Sequence, residues 1–181
     1  MLFQAGIWTP EREALWERIE RYNFEPDQPL SFIKRLARDR AWSLAEARDA
    51  IGGYRRFCFL AAISSTPVTP SEVIDEVWHQ HLIYSREYWN VWCGQVLQKP
   101  LHHDPTAGGA DAQRRFRRQY AEPLALYEQF FGRPDPVLWP ATHVRFGRRP
   151  QYRTADLTRS FILPRPSAVL RRLFGGETGC R

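Results

Sequence analysis

The stretch from Thr69 to Cys93 reads TPSEVIDEVWHQHLIYSREYWNVWC, and how it folds decides the architecture. Thr69 suits an N-cap, and Pro70 suits the first helical position, where a missing N–H is harmless. Glu72 sits where a capping-box carboxylate reaches back. Beyond Pro70 no Pro or Gly interrupts the run before Gly94, so the residues predict one helix of about seven turns. A rotation of about 100° per residue then sorts the side chains. Ile74, Val77, Trp78, His81, Tyr84, Ser85, Tyr88, Trp89 and Trp92 fall on a broad, mostly apolar face. Asp75, Glu76, His79, Arg86, Glu87 and Asn90 fall on the polar one. Asp75 and His79, four apart, are surface neighbours. His79 and His81 lie about 200° apart and do not form a pair.

Working outward, Thr9 and Pro10 repeat the same start signal, and Leu15, Ile19 and Tyr22 follow at helical spacing. A second helix is predicted from about Pro29 to Arg40, with Phe32, Ile33 and Leu36 inward. A capping box, Ser43 to Glu46, opens a third, whose buried stripe reads Leu44, Ala47, Ile51, Tyr54, Cys58 and Ala61. Gly52 and Gly53 inside it each cost about 1 kcal/mol relative to Ala, offset by close approach of a neighbouring helix. Leu101 to Gly109 reads as a loop. From Asp111 a further helix carries Phe116 and Tyr120 inward; Pro123 either kinks it or starts another, and Gly132 suits its C-terminal cap. No strand alternation and no internal repeat is present. The prediction is an all-α single compact domain of about five or six helices over residues 1–140, followed by a basic, Pro-rich tail, 141–181.

Composition narrows the class. With 181 residues, 43% hydrophobic and 14% aromatic, the chain can bury one core. Lys and Arg number 26 against 20 acids, a net charge of +6. Residues 141–181 hold nine Arg and two acids, 9 − 2 = +7, which leaves about −1 for residues 1–140. Three scattered cysteines, Cys58, Cys93 and Cys180, argue against a disulfide framework or a Cys-based zinc site, so a reducing cytoplasm is expected. Neither a signal peptide nor a run of ~18 apolar residues is visible, which excludes a membrane-spanning helix from the reading.

The chemistry rests on histidine and aspartate. Asp75 and His79 can offer two ligands from adjacent turns, and His103 of the loop that follows can offer a third. The helix rises about 21 Å from His79 to Cys93 at ~1.5 Å per residue, and the ten residues Gly94 to His103 reach up to roughly 33 Å extended, so the loop can return. Two imidazoles and a carboxylate suit a divalent zinc or iron ion and leave positions open for water or substrate. Other readings stand beside this one. Asp75 and His79 also make a simple hydrogen-bonded pair. His81, on the apolar face, reads as a buried imidazole with a single partner, a backbone carbonyl or a Tyr hydroxyl. His102 and His103 can serve only to order their turn. No H-E-x-x-H motif and no phosphate-binding loop is present. Cys93, near a helix C-terminus, lacks the positive helix end that would activate a thiol.

The run DEVWHQHLIYSREYW, followed by Cys93, PLHHDPTAGG and an LYEQFFG…WP segment, resembles the bacterial branch of the glycine-rich domain-containing protein-like family. The resemblance implies a helical domain built around a D-x-x-W-H-x-H core, here Asp75 to His81, with no established reaction. It is densest over Val68 to Pro140 and weaker over Trp42 to Ala62. The chain departs from the pattern at Pro123 and lacks the glycine-rich extension. Three function classes follow: a metal-dependent domain, enzymatic or not; a non-catalytic module for a protein partner, in which the Asp/His cluster is structural; and a binder of an anionic RNA or membrane surface. The last would act through residues 141–181, where arginines alternate with Phe146, Tyr152, Phe161 and Leu163 and where SAVLRRLFGG can form a short amphipathic helix. A tail folded back onto the body is the alternative for that segment. The sequence names no substrate or reaction.

Overall fold

Helices start where a side-chain oxygen or a proline meets otherwise unpaired N–H groups. Helix α1, Pro10–Arg21, has Pro at its first turn, and the Thr9 hydroxyl accepts from the Arg12 N–H at 3.4 Å. Helix α2, Phe32–Arg40, begins later than the sequence suggested and ends on Ala41 in the left-handed region, φ 53°. Helix α3, Leu44–Ile63, carries the expected capping box: Glu46 N–H donates to Ser43 Oγ at 3.1 Å, and Ser43 N–H to Glu46 Oε2 at 2.7 Å. The computed structural model describes residues 6–24, 29–105 and 108–147, with Thr158, Phe161 and Leu163. Among these residues the chain is all-α, with no strand, and five α-helices have nine residues or more.

The stretch Thr69–Cys93 does not form one helix. Helix α4 is Glu72–Leu82, capped by the Ser71 hydroxyl, which accepts from Ile74 N–H at 3.3 Å. Thr69 is engaged elsewhere: its N–H donates at 2.9 Å to the carbonyl of Gln119 in helix α6, Gly109–Phe131. That carbonyl is available because Pro123, four residues on, has no N–H to offer it. Helix α6 runs through Pro123 as a single element, so no separate helix starts there.

Tyr84, at φ −86° and ψ 50°, breaks the chain after α4. A single turn, α5, Ser85–Glu87, leads into a π-helix, Tyr88–Leu97, which ends on Gln98 at φ 55°. The buried residues of this last element are Tyr88, Trp92, Cys93, Val96 and Leu97. Their steps of four to five suit the wider π register. Trp89, placed on the apolar face by an α-helical count, is instead exposed.

Helix α3 is the hub. It packs against α1, α2, α4, α6 and the π-helix, and every residue from Phe57 to Ala61 is buried. A helix apolar all round belongs at the centre of a core, so the single stripe expected from sequence is too narrow at this end. At the other end it is too generous, since Leu44 is 43% exposed. The paired glycines also divide. A Cβ on Gly53 would meet Ile74 Cδ1 at 2.5 Å, whereas one on Gly52 would meet nothing within 4 Å. Gly53 is thus the residue that lets α4 close on α3. Gly52→Ala is expected to stabilise the fold by about 0.5–1 kcal/mol, and Gly53→Ala to destabilise it by about 1–3 kcal/mol because the fully buried Ile74 side chain must shift to admit the methyl group. Urea unfolding of the two variants checks the opposite signs.

These helices lie within the compact unit Met1–Arg149. Its last helix, α7, Thr142–Arg145, sets Arg145 against Glu72, 2.8 Å between Nη1 and Oε1. Phe146 rests edge-on to Tyr120, ring centroids 5.8 Å apart. The unit Pro150–Arg181 holds most of the arginine-rich tail. Apart from three single positions it lies outside the described residues, and so does the amphipathic helix expected over SAVLRRLFGG. No helix among the described residues is long and apolar enough to cross a membrane.

Candidate metal centre

Asp75 belongs to the first turns of α4, where the helix dipole favours a carboxylate, and His79 follows one turn on. Their side chains project from the same face, with His79 Nε2 3.9 Å from Asp75 Oδ2. His103 arrives from the loop after the π-helix and places Nε2 2.8 Å from Asp75 Oδ1. The expected return of the chain therefore occurs. One ligand atom from each of Asp75, His79 and His103 lies within 4.8 Å of the others, making a possible metal-binding group.

The loop is held by hydrogen bonds formed away from the cluster. Trp78 Nε1–H donates to the Tyr88 hydroxyl at 2.9 Å, and that hydroxyl donates to the Leu101 carbonyl at 2.5 Å, two residues before His103. Trp78 also lies against the His103 ring, centroids 4.4 Å apart. Asp75 and His103 are half-buried, while His79 has 46% of its side chain exposed. The Asp75 carboxylate, bonded to the His103 ring, raises that imidazole's pKa above its ordinary value. The neighbouring acids on α4 have their own partners: Glu72 pairs with Arg145, and Glu76 with Arg40. Asp75 is thus the α4 carboxylate of this turn facing imidazoles instead of a guanidinium.

His102 takes no part in the cluster. Its ring lies 5.2 Å from that of the exposed Trp89. His81 is buried, 1% exposed, but it has two polar partners where one was expected. Nδ1 is 3.1 Å from the Tyr54 hydroxyl and Nε2 is 2.6 Å from Glu87 Oε2. The other Glu87 oxygen accepts from the Tyr22 hydroxyl. Six aromatic rings surround the imidazole at centroid distances of 5.0–6.4 Å. Sequence reading missed Glu87 and Tyr22, because an uninterrupted α-helix would put Glu87 about 120° around the helix from His81, on the polar face. Cys58 and Cys93 are free thiols buried in the core, and burial pushes both pKa values up, opposite to what a nucleophilic thiol needs.

The fold and the cluster together define a small all-α domain whose one grouped set of three ligand-type side chains among the described residues joins a helix to a loop. The chain belongs to the UCP032817-like family, whose match covers residues 15–122, more than half of its length and all three members of the cluster. No curated protein and no solved structure gives a significant match.

Proposed function

We propose that this protein binds a divalent zinc or iron ion through Asp75, His79 and His103. The observation that carries the reading is the convergence of those three side chains from two chain segments. Ligands held about 2.1 Å from an ion lie about 3.0–3.4 Å from one another in octahedral or tetrahedral geometry. The 2.8 and 3.9 Å contacts of Asp75 bracket that range. Closing the remaining distance needs a movement of His79, the exposed member. A two-histidine, one-carboxylate set leaves coordination positions open, and the exposure of His79 puts them towards solvent, where a water or a small substrate could enter. A bound ion would supply Lewis acidity there. The protein's own contribution is to orient His103 through the loop anchored by Tyr88, and to keep Asp75 clear of arginine.

Metal analysis of untagged protein tests this reading. About one ion per chain is expected, lost in Asp75→Ala and in His103→Ala; less than about 0.2 ion per chain in the unmodified protein would reject it. A second reading rests on the 2.8 Å bond between His103 and Asp75. In a non-catalytic interaction module that bond alone staples the loop to α4. There Asp75→Ala lowers the melting temperature, His79→Ala leaves it unchanged, and neither alters metal content.

A further inference from the structure

A cleft of about 540 Å³ opens between α2 and α3 and shares no residue with the Asp/His cluster. Its size falls within the range of small-molecule sites, roughly 300–1,000 Å³. Phe24, Ile33, Leu44 and Ile51 give it an apolar lining, and Lys34, Arg48 and Arg55 add three positive charges with no acid among the described lining residues. Two features expected of an ordinary core are missing. Leu44, read from sequence as inward, is exposed and lines this space beside Ile33, which also packs against the core. The direction in which a Gly52 side chain would grow is empty to 4 Å.

The cations differ in what they already hold. The Arg55 guanidinium sits 4.8 Å from the Phe24 ring centroid and donates to the carbonyls of Ile19, Glu20 and Tyr22. It therefore brings charge to the cleft lining while its donors occupy carbonyls at the end of α1. Lys34 and Arg48 have no hydrogen bond or ion pair among the described residues. Ser31, only 9% exposed, is the N-cap residue of α2, yet its hydroxyl makes no capping bond. An apolar floor with unpaired cations at the rim is complementary to a ligand that is apolar along its body and negative at one end.

We propose that the cleft between α2 and α3 is a second binding site, one that takes a single-headed amphipathic carboxylate, with its head at Lys34, Arg48 and Ser31 and its aliphatic body over Ile33, Leu44 and Ile51. Glu25 and Asp27, close in sequence to Phe24, lie outside the described residues, so the test compares a charged with an uncharged tail.

Titration calorimetry of the full chain with decanoate, below the concentration at which it aggregates, is the direct measurement. Decanol carries the same tail without the charge, and inorganic phosphate carries charge without the tail. Decanoate is expected to bind one per chain, at least about tenfold more tightly than either control, and Arg48→Ala to weaken it roughly tenfold, the loss typical of one charge-assisted hydrogen bond. Gly52→Leu should abolish binding by filling the cleft while leaving the melting curve at or above that of the unmodified protein. Leu44→Glu, at an exposed first-turn position, provides a second block if Gly52→Leu does not fold. No heat with decanoate, equal affinity for decanol or phosphate, or unchanged binding by the folded blocking variant overturns the proposal.

Discussion

Replacing His81 by alanine is expected to destabilise the domain by about 3 kcal/mol or more, lowering the melting temperature by roughly 6–12 °C for a chain of this size. Two costs combine. The imidazole fills a space walled by six aromatic rings, and its removal leaves a void there. It also links two polar groups that cannot reach each other. Nδ1 bonds the Tyr54 hydroxyl and Nε2 bonds Glu87, and once the ring is gone the fully buried Tyr54 hydroxyl keeps only the Cys58 thiol, a weak partner. His81→Phe separates these contributions: it restores most of the volume but not the bonds, and should recover part of the loss. Glu87 is partly exposed and can find water, so Glu87→Gln should cost only about 1 kcal/mol. Chemical unfolding monitored by tryptophan fluorescence reads all three. A change below about 1 kcal/mol for His81→Ala would mean that the network does not exist in solution.

The second large effect concerns metal affinity and pH. A proton and a metal ion compete for the His103 imidazole, and its bond to Asp75 favours the proton up to a higher pH than an ordinary histidine would. The affinity is therefore expected to fall about tenfold for each pH unit below the raised His103 pKa, and to level off above it. The metal-free protein should show the reverse trend. A group whose folded pKa is raised contributes its full stability below the unfolded value, near 6.5, and that contribution disappears as pH rises through the folded value. Acid thus strengthens the His103–Asp75 pair while weakening the ion's hold. Asp75→Asn removes the carboxylate ligand and the cause of the pKa shift together. It should reduce zinc affinity by about a hundredfold, within the range for changes at a metal site, and move the onset of the pH dependence down towards that of an ordinary histidine. Competition titrations with a zinc-sensitive dye between pH 5.5 and 8 give both quantities. A pH-independent affinity would remove His103 from the ligand set.

Much of this was legible in the sequence, and the failures share a cause. Capping chemistry is local, so Thr9 with Pro10 and Ser43 with Glu46 located α1 and α3 closely. The i, i+4 relation of Asp75 and His79 is likewise local, and chain reach allowed His103 to join them. The break at Tyr84 has no Gly or Pro to announce it, and the π-helix after it begins six residues before its one glycine, Gly94. They follow from what the core accepts, including Trp92 buried among the aromatic rings around His81, which no window along the chain reveals. With them went the partner of His81, because Glu87 lies about 120° away, on the polar face, in the helix drawn on paper. The cleft beside α3 was missed for a similar reason. Leu44 fits the apolar period, but period alone does not say whether anything arrives to cover a residue.

Pro123 carries one further consequence. By withholding a hydrogen from α6, it leaves an acceptor pointing at the residues that precede α4, and the amide of Thr69 takes it. The segment that leads into α4 is therefore tied to a helix residue fifty positions downstream. An alanine at 123 would supply the missing donor, let α6 complete its own ladder, and release the entry to α4 from that tie, leaving α4 held by its packing on α3.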